Sequence, residues 1–283
     1  MTVADSQPRH ERPATLTNPR SDRVKEVAQL AGRRARRRHN RILVEGPQAV
    51  REAVKFCGND LIDVYISDSA WERHSDLVDA ASRATRWVHR VSDEVATAMS
   101  PDAQGIIAVT RAFTTDGLPR VDWSFVCVLA QTQDPGNAGT MIRAADAAGA
   151  DAVIVCSGSV DPTSPKVVRS SAGSVFHLPT ITGVGFDEVV EWARARRMNI
   201  VAADGHGAID LFACEDGTEP LDLASPIAWV FGNEAHGFSD LATTGIDYMV
   251  SIPMGGHAES LNVSSAATLC LFATARARRH LAH

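Results

Sequence analysis

Apolar residues along this chain recur in two alternating rhythms, helical spacing and strand-like runs, which take turns from residue 21 to residue 280. Ser21 or Asp22 can cap a helix with Val24, Val27, Ala28 and Ala31 on one face, running on into Arg33, Arg34, Arg36, Arg37, Arg38 and Arg41. A short strand, Ile42 to Val44, follows. After Gly46 and Pro47 comes a helix with Val50, Ala53 and Val54 on one face, then the alternating strand Leu61 to Ile66. A helix near Asp76 to Ala84, a strand around Trp87 to Val91, a helix opened by Ser92-Asp93-Glu94 and a strand Gly105 to Val109 complete the first half.

The second half keeps the rhythm. Phe125 to Ala130, Ala152 to Val155, Ile200 to Ala203, Ile227 to Phe231 and Tyr248 to Ile252 read as strands, with helices after most of them. Unbroken apolar runs such as FVCVLA and AVIVC suit a parallel sheet covered on both faces. The last helix, about Ser260 to His280, is apolar through Cys270, Leu271 and Phe272 and ends in Arg276, Arg278 and Arg279, a charge that suits a helix C-terminus. Its apolar surface is broad enough to predict burial on more than one side. The predicted class is α/β, a C-terminal parallel sheet flanked by helices after a smaller N-terminal α/β domain. The predicted boundaries are a disordered tail over 1–20, a first domain over 21–112, a linker over 113–122 containing Gly117 and Pro119, and a second domain over 123–283.

Composition narrows the function classes. The chain has 283 residues, 45% hydrophobic and 22% charged, enough for two ordinary domains. Its first twenty residues hold no apolar run, and Val263 to Ala275 is interrupted by Ser264, Ser265, Thr268 and Thr274, short of the roughly 20 residues a bilayer needs. No signal peptide or membrane span is predicted. The five cysteines (Cys57, Cys127, Cys156, Cys214, Cys270) form no C-x-x-C pair, which argues against disulfides and zinc and for a reducing cytoplasm. A net charge of −6 argues against wholesale wrapping of nucleic acid, so any RNA contact is local. His206, His236 and His257 sit on separate loops without ligand spacing, so no metal is predicted.

Three loops at predicted strand ends carry most of the candidate chemistry, where open α/β sheets bind ligands. In Gln131 to Arg143 (QTQDPGNAGTMIR), Asn137 can cap the next helix and Arg143 lies nearly two turns inside it; a plain cap and a surface ion pair would explain both. In Phe231 to Phe238 (FGNEAHGF), Gly232 and Gly237 allow close backbone approach beside Asn233, Glu234 and His236, unless Glu234 only caps its helix. In Ile252 to Ser264 (IPMGGHAESLNVS), two glycines permit a bend while Ser260 and Asn262 bracket a helix start. No G-x-G-x-x-G follows a strand with an acid about twenty residues on, so the usual dinucleotide fingerprint is missing.

Taken together, the three loops resemble the motifs of the SpoU, or TrmH-like, family of RNA ribose 2′-O-methyltransferases, in the same order. RILVEGPQAVREAV (Arg41 to Val54), Val64 to Ser67 and Ala98 to Val109 resemble that family's substrate-binding domain. The resemblance implies a deep trefoil knot of the SPOUT type, S-adenosylmethionine as cofactor, RNA as substrate with ribosomal RNA preferred, and a homodimer. It places cofactor contacts at Gly232, Ile252 and Leu261, and catalytic positions at Arg143, Asn137, Glu234, Ser260 and Asn262. A guanidinium is a permanent cation, so Arg143 is better suited to fixing phosphate and stabilising an alkoxide than to acting as a base. Arg33, Arg34, Arg37, Arg38, Arg41 and Arg169 are the candidate RNA contacts, against the alternative of solvated helix faces. A transfer-RNA substrate, and a non-catalytic RNA-binding or ribosome-assembly protein of the same fold, remain open readings.

Overall fold

The computed structural model describes residues 15–232 and 245–281. The N-terminal unit runs α1 (Asp22–Gln29), α2 (Arg33–His39), β1 (Arg41–Glu45), α3 (Pro47–Phe56), β2 (Leu61–Ser67), α4 (Asp68–Arg73), α5 (Ser75–Ala84), β3 (Val88–Val91), α6 (Asp93–Met99) and β4 (Ile106–Arg111). Its strands lie in the order β1-β4-β2-β3, with β4 antiparallel to both neighbours and β3 parallel to β2. Leu16, within the predicted tail, already pairs with Val91 beside β3.

The expected single helix through the arginine run is two helices. The N–H groups of Leu30, Ala31 and Gly32 turn back to Val27, Ala28 and Gln29, closing α1 tightly, and Gly32 is extended before α2 begins. The carbonyls freed at Leu30 and Ala31 accept from the buried Arg36 guanidinium at 3.1 and 2.7 Å, which satisfies the break.

The C-terminal unit holds β5 (Thr114–Asp116), β6 (Phe125–Leu129), α7 (Pro135–Ala148), β7 (Ala152–Cys156), α8 (Pro165–Ser170), β8 (Thr180–Val184), α9 (Phe186–Ala195), β9 (Asn199–Ala203), β10 (Ile209–Asp210), α10 (Leu211–Glu215), β11 (Ile227–Phe231), β12 (Tyr248–Ser251) and α11 (Val263–Leu281). The strand order is β10-β12-β9-β11-β6-β7-β8-β5, and every pairing is parallel. The predicted two-sided burial holds: along β6, Phe125, Cys127 and Leu129 face one core while Val126 and Val128 face the other. β8 and β5 were not legible as strands, because TITGV and TTD lack an apolar run. β5 falls inside the predicted linker and closes the sheet edge, with the Thr182 hydroxyl donating to Asp116 at 2.7 Å.

α11 lies under β11, where the buried Trp229 indole donates to Thr274 at 2.8 Å. Near its end Arg278 donates to the carbonyls of Ser124 and Ser225 at 2.7 and 2.9 Å, tying the helix to the other end of the sheet. The two units share one continuous apolar core, reinforced by polar clamps. Arg169 reaches Glu45 at 2.6 Å and Asp102 at 3.2 Å, and His177 sits between Asp146 at 2.7 Å and Glu52 at 3.2 Å.

Candidate active site

The end of β6 leads into α7 through Asp134-Pro135, a carboxylate at the N-cap followed by a proline whose missing N–H is no loss in the first turn. Asp134, and not Asn137 as the sequence suggested, is the cap: its carboxylate accepts the N–H of Asn137 at 2.8 Å. That leaves the Asn137 side chain for another task, and its carbonyl oxygen accepts from Asn262 Nδ2 at 3.0 Å. Asn262 in turn is the cap of α11, its Oδ1 accepting from the Ser264 N–H at 2.9 Å and the Ser264 hydroxyl at 2.6 Å. One asparagine therefore starts α11 and links the third loop to the first. The helix begins at Val263, so Ser260 stays in the loop ahead of it.

Beside this pair, at the C-terminal ends of β9, β11 and β12, lies a cavity of about 370 Å³. Gly232, Ile252 and Leu261 all line it, and so do Ser260 and Asn262. The walls are apolar where Val250, Ile252 and Leu261 contribute, and two carboxylates, Asp204 and Glu259, stand at its edge. Those acids escaped the sequence reading, because neither sits in a recognisable capping or ligand pattern. Asp204 is fixed by the His206 N–H at 2.8 Å. Such a volume is within the range of about 300–1,000 Å³ usual for small-molecule sites, and its acids favour a ligand carrying positive charge.

Arg143 is on the exposed face of α7, about 9 Å along the axis from Asn137, and does not line the cavity. It forms no ion pair or hydrogen bond with the described residues. Asn233, Glu234 and His236 lie outside the described residues. The basic run divides. Arg36 is 4% exposed and internal, Arg33 and Arg37 line a groove between the two units, and Arg41 lines a separate recess with Arg23 and His39. Arg34 and Arg38 are exposed on the far face of α2, and Arg169 is engaged by Glu45 and Asp102. Among the described residues no group of three or more His, Cys, Asp or Glu side chains could hold a metal ion, and no helix is long and apolar enough to cross a membrane.

The sequence profile of the SpoU rRNA methylase family matches residues 124–272, which run from β6 into the first half of α11 and include both asparagines. The chain belongs to that family. An MRM3-like substrate binding domain matches residues 21–108. The chain is 33% identical over 273 residues to the 23S rRNA (uridine(2479)-2′-O)-methyltransferase of Streptomyces viridochromogenes, covering 89% of this chain and 88% of the relative. It is 28% identical to the 23S rRNA (guanosine(2553)-2′-O)-methyltransferase RlmP of Bacillus subtilis, over 91% of this chain and 97% of that one. Among solved structures, the SpoU methyltransferase AviRb from Streptomyces viridochromogenes, in complex with AdoMet, superposes with a TM-score of 0.78 at 31% identity, covering 92% of this chain and 99% of its own. This SpoU methylase thus carries a cavity of about 370 Å³ at the C-terminal ends of β9, β11 and β12.

Proposed function

We propose that this SpoU methylase transfers a methyl group from S-adenosylmethionine to one ribose 2′-hydroxyl of 23S ribosomal RNA, as a cytoplasmic homodimer of two-domain chains. The observation that carries the reading is the junction of the cavity with the Asn137–Asn262 pair, which brings residues of two separate loops to one crevice. The residues fit the cofactor. Ile252, Leu261 and Val250 offer apolar walls for an adenine, Gly232 offers bare backbone, and Asp204 and Glu259 suit a cationic ligand. Bound there, S-adenosylmethionine supplies a methyl group already activated on a sulfonium.

The chain's own residues then have to align the ribose, because an in-line displacement on an activated carbon depends mostly on orientation. Asn137 and Asn262 hold the two loops in register and Ser260 offers a hydroxyl beside them. Glu234 completes the polar set by its place in the motif. Arg143, unpaired with any described residue, is the cation that receives the RNA backbone and stabilises the developing alkoxide as the 2′-hydroxyl gives up its proton to solvent water. The trefoil knot that the family resemblance implies would bring the ends of β11 and β12 to one crevice. Homodimerisation is supported by Leu269 and Phe272, 43% and 46% exposed on one face of α11, with Phe212 of α10 also exposed.

Arg143→Ala tests the assignment. It is expected to abolish methyl transfer while leaving S-adenosylmethionine affinity, read by calorimetry, unchanged. Equal loss of both would remove Arg143 from the reacting centre.

A further inference from the structure

A second cavity, of about 350 Å³, lies between the N-terminal unit and the C-terminal ends of β7 and β8. α2 contributes Arg33 and Arg37 to its wall, and the loop after β7 contributes Ser157, Gly158, Asp161 and Thr163. Asp161 is already engaged. It accepts from Arg36 at 2.7 Å and from the Thr163 hydroxyl at 2.6 Å, while Arg33 approaches it only to 3.7 Å. Arg37 has no ion pair or hydrogen bond among the described residues, and the other carboxylate, Asp116, accepts from Thr182. Three guanidiniums (Arg33, Arg36, Arg37) against two carboxylates (Asp116, Asp161) leave one positive charge in excess. Two neutral donors, the Ser157 hydroxyl and the Gly158 N–H, have no protein partner among the described residues.

The groove is joined to the active-site crevice. The Val160 N–H donates to the Thr132 carbonyl at 2.8 Å and the Ser159 hydroxyl to the Leu129 carbonyl at 3.0 Å, so the loop after β7 is knitted to the end of β6 and the loop that leads into α7, the helix of Asn137. In the strand order β9-β11-β6-β7-β8 the nearest walls of the two cavities, at β11 and β7, are two strand spacings apart, roughly 10 Å, a distance that a short stretch of RNA backbone can span.

We propose that this groove seats a backbone phosphate of the RNA strand close to the methylated nucleotide. Arg37 and Arg33 are its charged ligands, the Ser157 hydroxyl and Gly158 N–H its neutral donors, and Arg36 is a positioning residue that locks α2 over the loop. Guanidinium forks and neutral N–H or O–H donors match phosphate oxygens, and such contacts set the register of a strand without reading its bases. The inference rests on the RNA methyltransferase reading and deepens it.

The test compares two charge-matched variants of the full chain, Arg33→Ala/Arg37→Ala and Arg34→Ala/Arg38→Ala, binding a 23S ribosomal RNA transcript over a range of salt. Arg34 and Arg38 are about 160° around α2 from Arg36 and away from the groove. The groove pair is expected to weaken RNA binding roughly tenfold or more and to lower the slope of log affinity against log salt by about one. The far-face pair should weaken binding by less than about threefold, a general field effect. Unchanged S-adenosylmethionine affinity certifies the fold of both variants. Equal losses from the two pairs, or no loss from the groove pair while wild-type protein binds and methylates the transcript, overturns the groove alone. Wild-type protein that neither binds nor methylates it overturns the proposal together with the reading beneath it.

Discussion

Replacing Arg36 by alanine should destabilise the protein more than any other change in the arginine run, although a run of six basic residues reads as a solvated surface. Its guanidinium makes four hydrogen bonds: to Asp161 at 2.7 Å, the Thr163 hydroxyl at 3.1 Å, and the carbonyls of Leu30 and Ala31 at 3.1 and 2.7 Å. Removing one partner of a fully buried ion pair costs about 3–5 kcal/mol, because the other charge is left without compensation. Asp161 keeps 16% side-chain exposure, and both Thr163 and Arg33 remain beside it, so the cost here falls to about 2–3 kcal/mol. For a chain of this size that is a fall in melting temperature of roughly 4–10 °C, measurable by calorimetry at neutral pH. Introduced into Asp161→Asn protein, the same substitution should cost less than half as much, since the two share one interaction. A melting temperature within 1 °C of wild type, or full additivity of the pair, would refute the clamp.

Asn262→Asp keeps the oxygen that caps α11 and loses the amide donor to Asn137, so its melting temperature should stay near wild type while methyl transfer falls. Asn262→Ala should lose transfer and also about 1 kcal/mol of stability, read by urea unfolding. Gly139→Ala would put a Cβ 1.9 Å from Ser170 Oγ and 2.7 Å from the Val167 carbonyl, so α7 and α8 must separate; about 1–3 kcal/mol should be lost, with only partial rescue by Ser170→Ala. On the proposed homodimer, wild type is expected to run as a dimer by light scattering and Leu269→Glu/Phe272→Glu as a folded monomer. Burial works against the Asp161 carboxylate, but hydrogen bonds from Thr163 and Arg36 outweigh it and hold its pKa below the ordinary value. A folded-state pKa below the unfolded one stabilises above the unfolded value, about 3.9, and the benefit is lost as pH falls through the folded value. The melting difference between wild type and Asp161→Asn should therefore be flat from pH 8 to about 5 and shrink below about 4.

The α/β alternation and the parallel C-terminal sheet were legible because FVCVLA, AVIVC and IAWVF are apolar runs too long and too β-branched for surface loops. β5 and β8 were not, because an edge and its neighbour built from threonines carry no such run. The proposed cofactor contacts Gly232, Ile252 and Leu261 came from motif resemblance, and their convergence on one cavity depends on tertiary folding that spacing does not encode. Asp134 was not singled out, although Asp-Pro at a strand end is a cap followed by N1 proline; the capping role went to Asn137 instead. The arginine run was read as the end of one helix. Only the fold could reveal that Arg36 points inward, because its partner Asp161 is 125 residues away.

The central claim is best tested on the product. Wild-type protein incubated with labelled S-adenosylmethionine and 23S ribosomal RNA should leave one position resistant to alkaline cleavage, since a methylated 2′-oxygen cannot attack its own phosphate. Label incorporated into RNA that alkali still cleaves at every position would place the methyl group on a base and contradict the account.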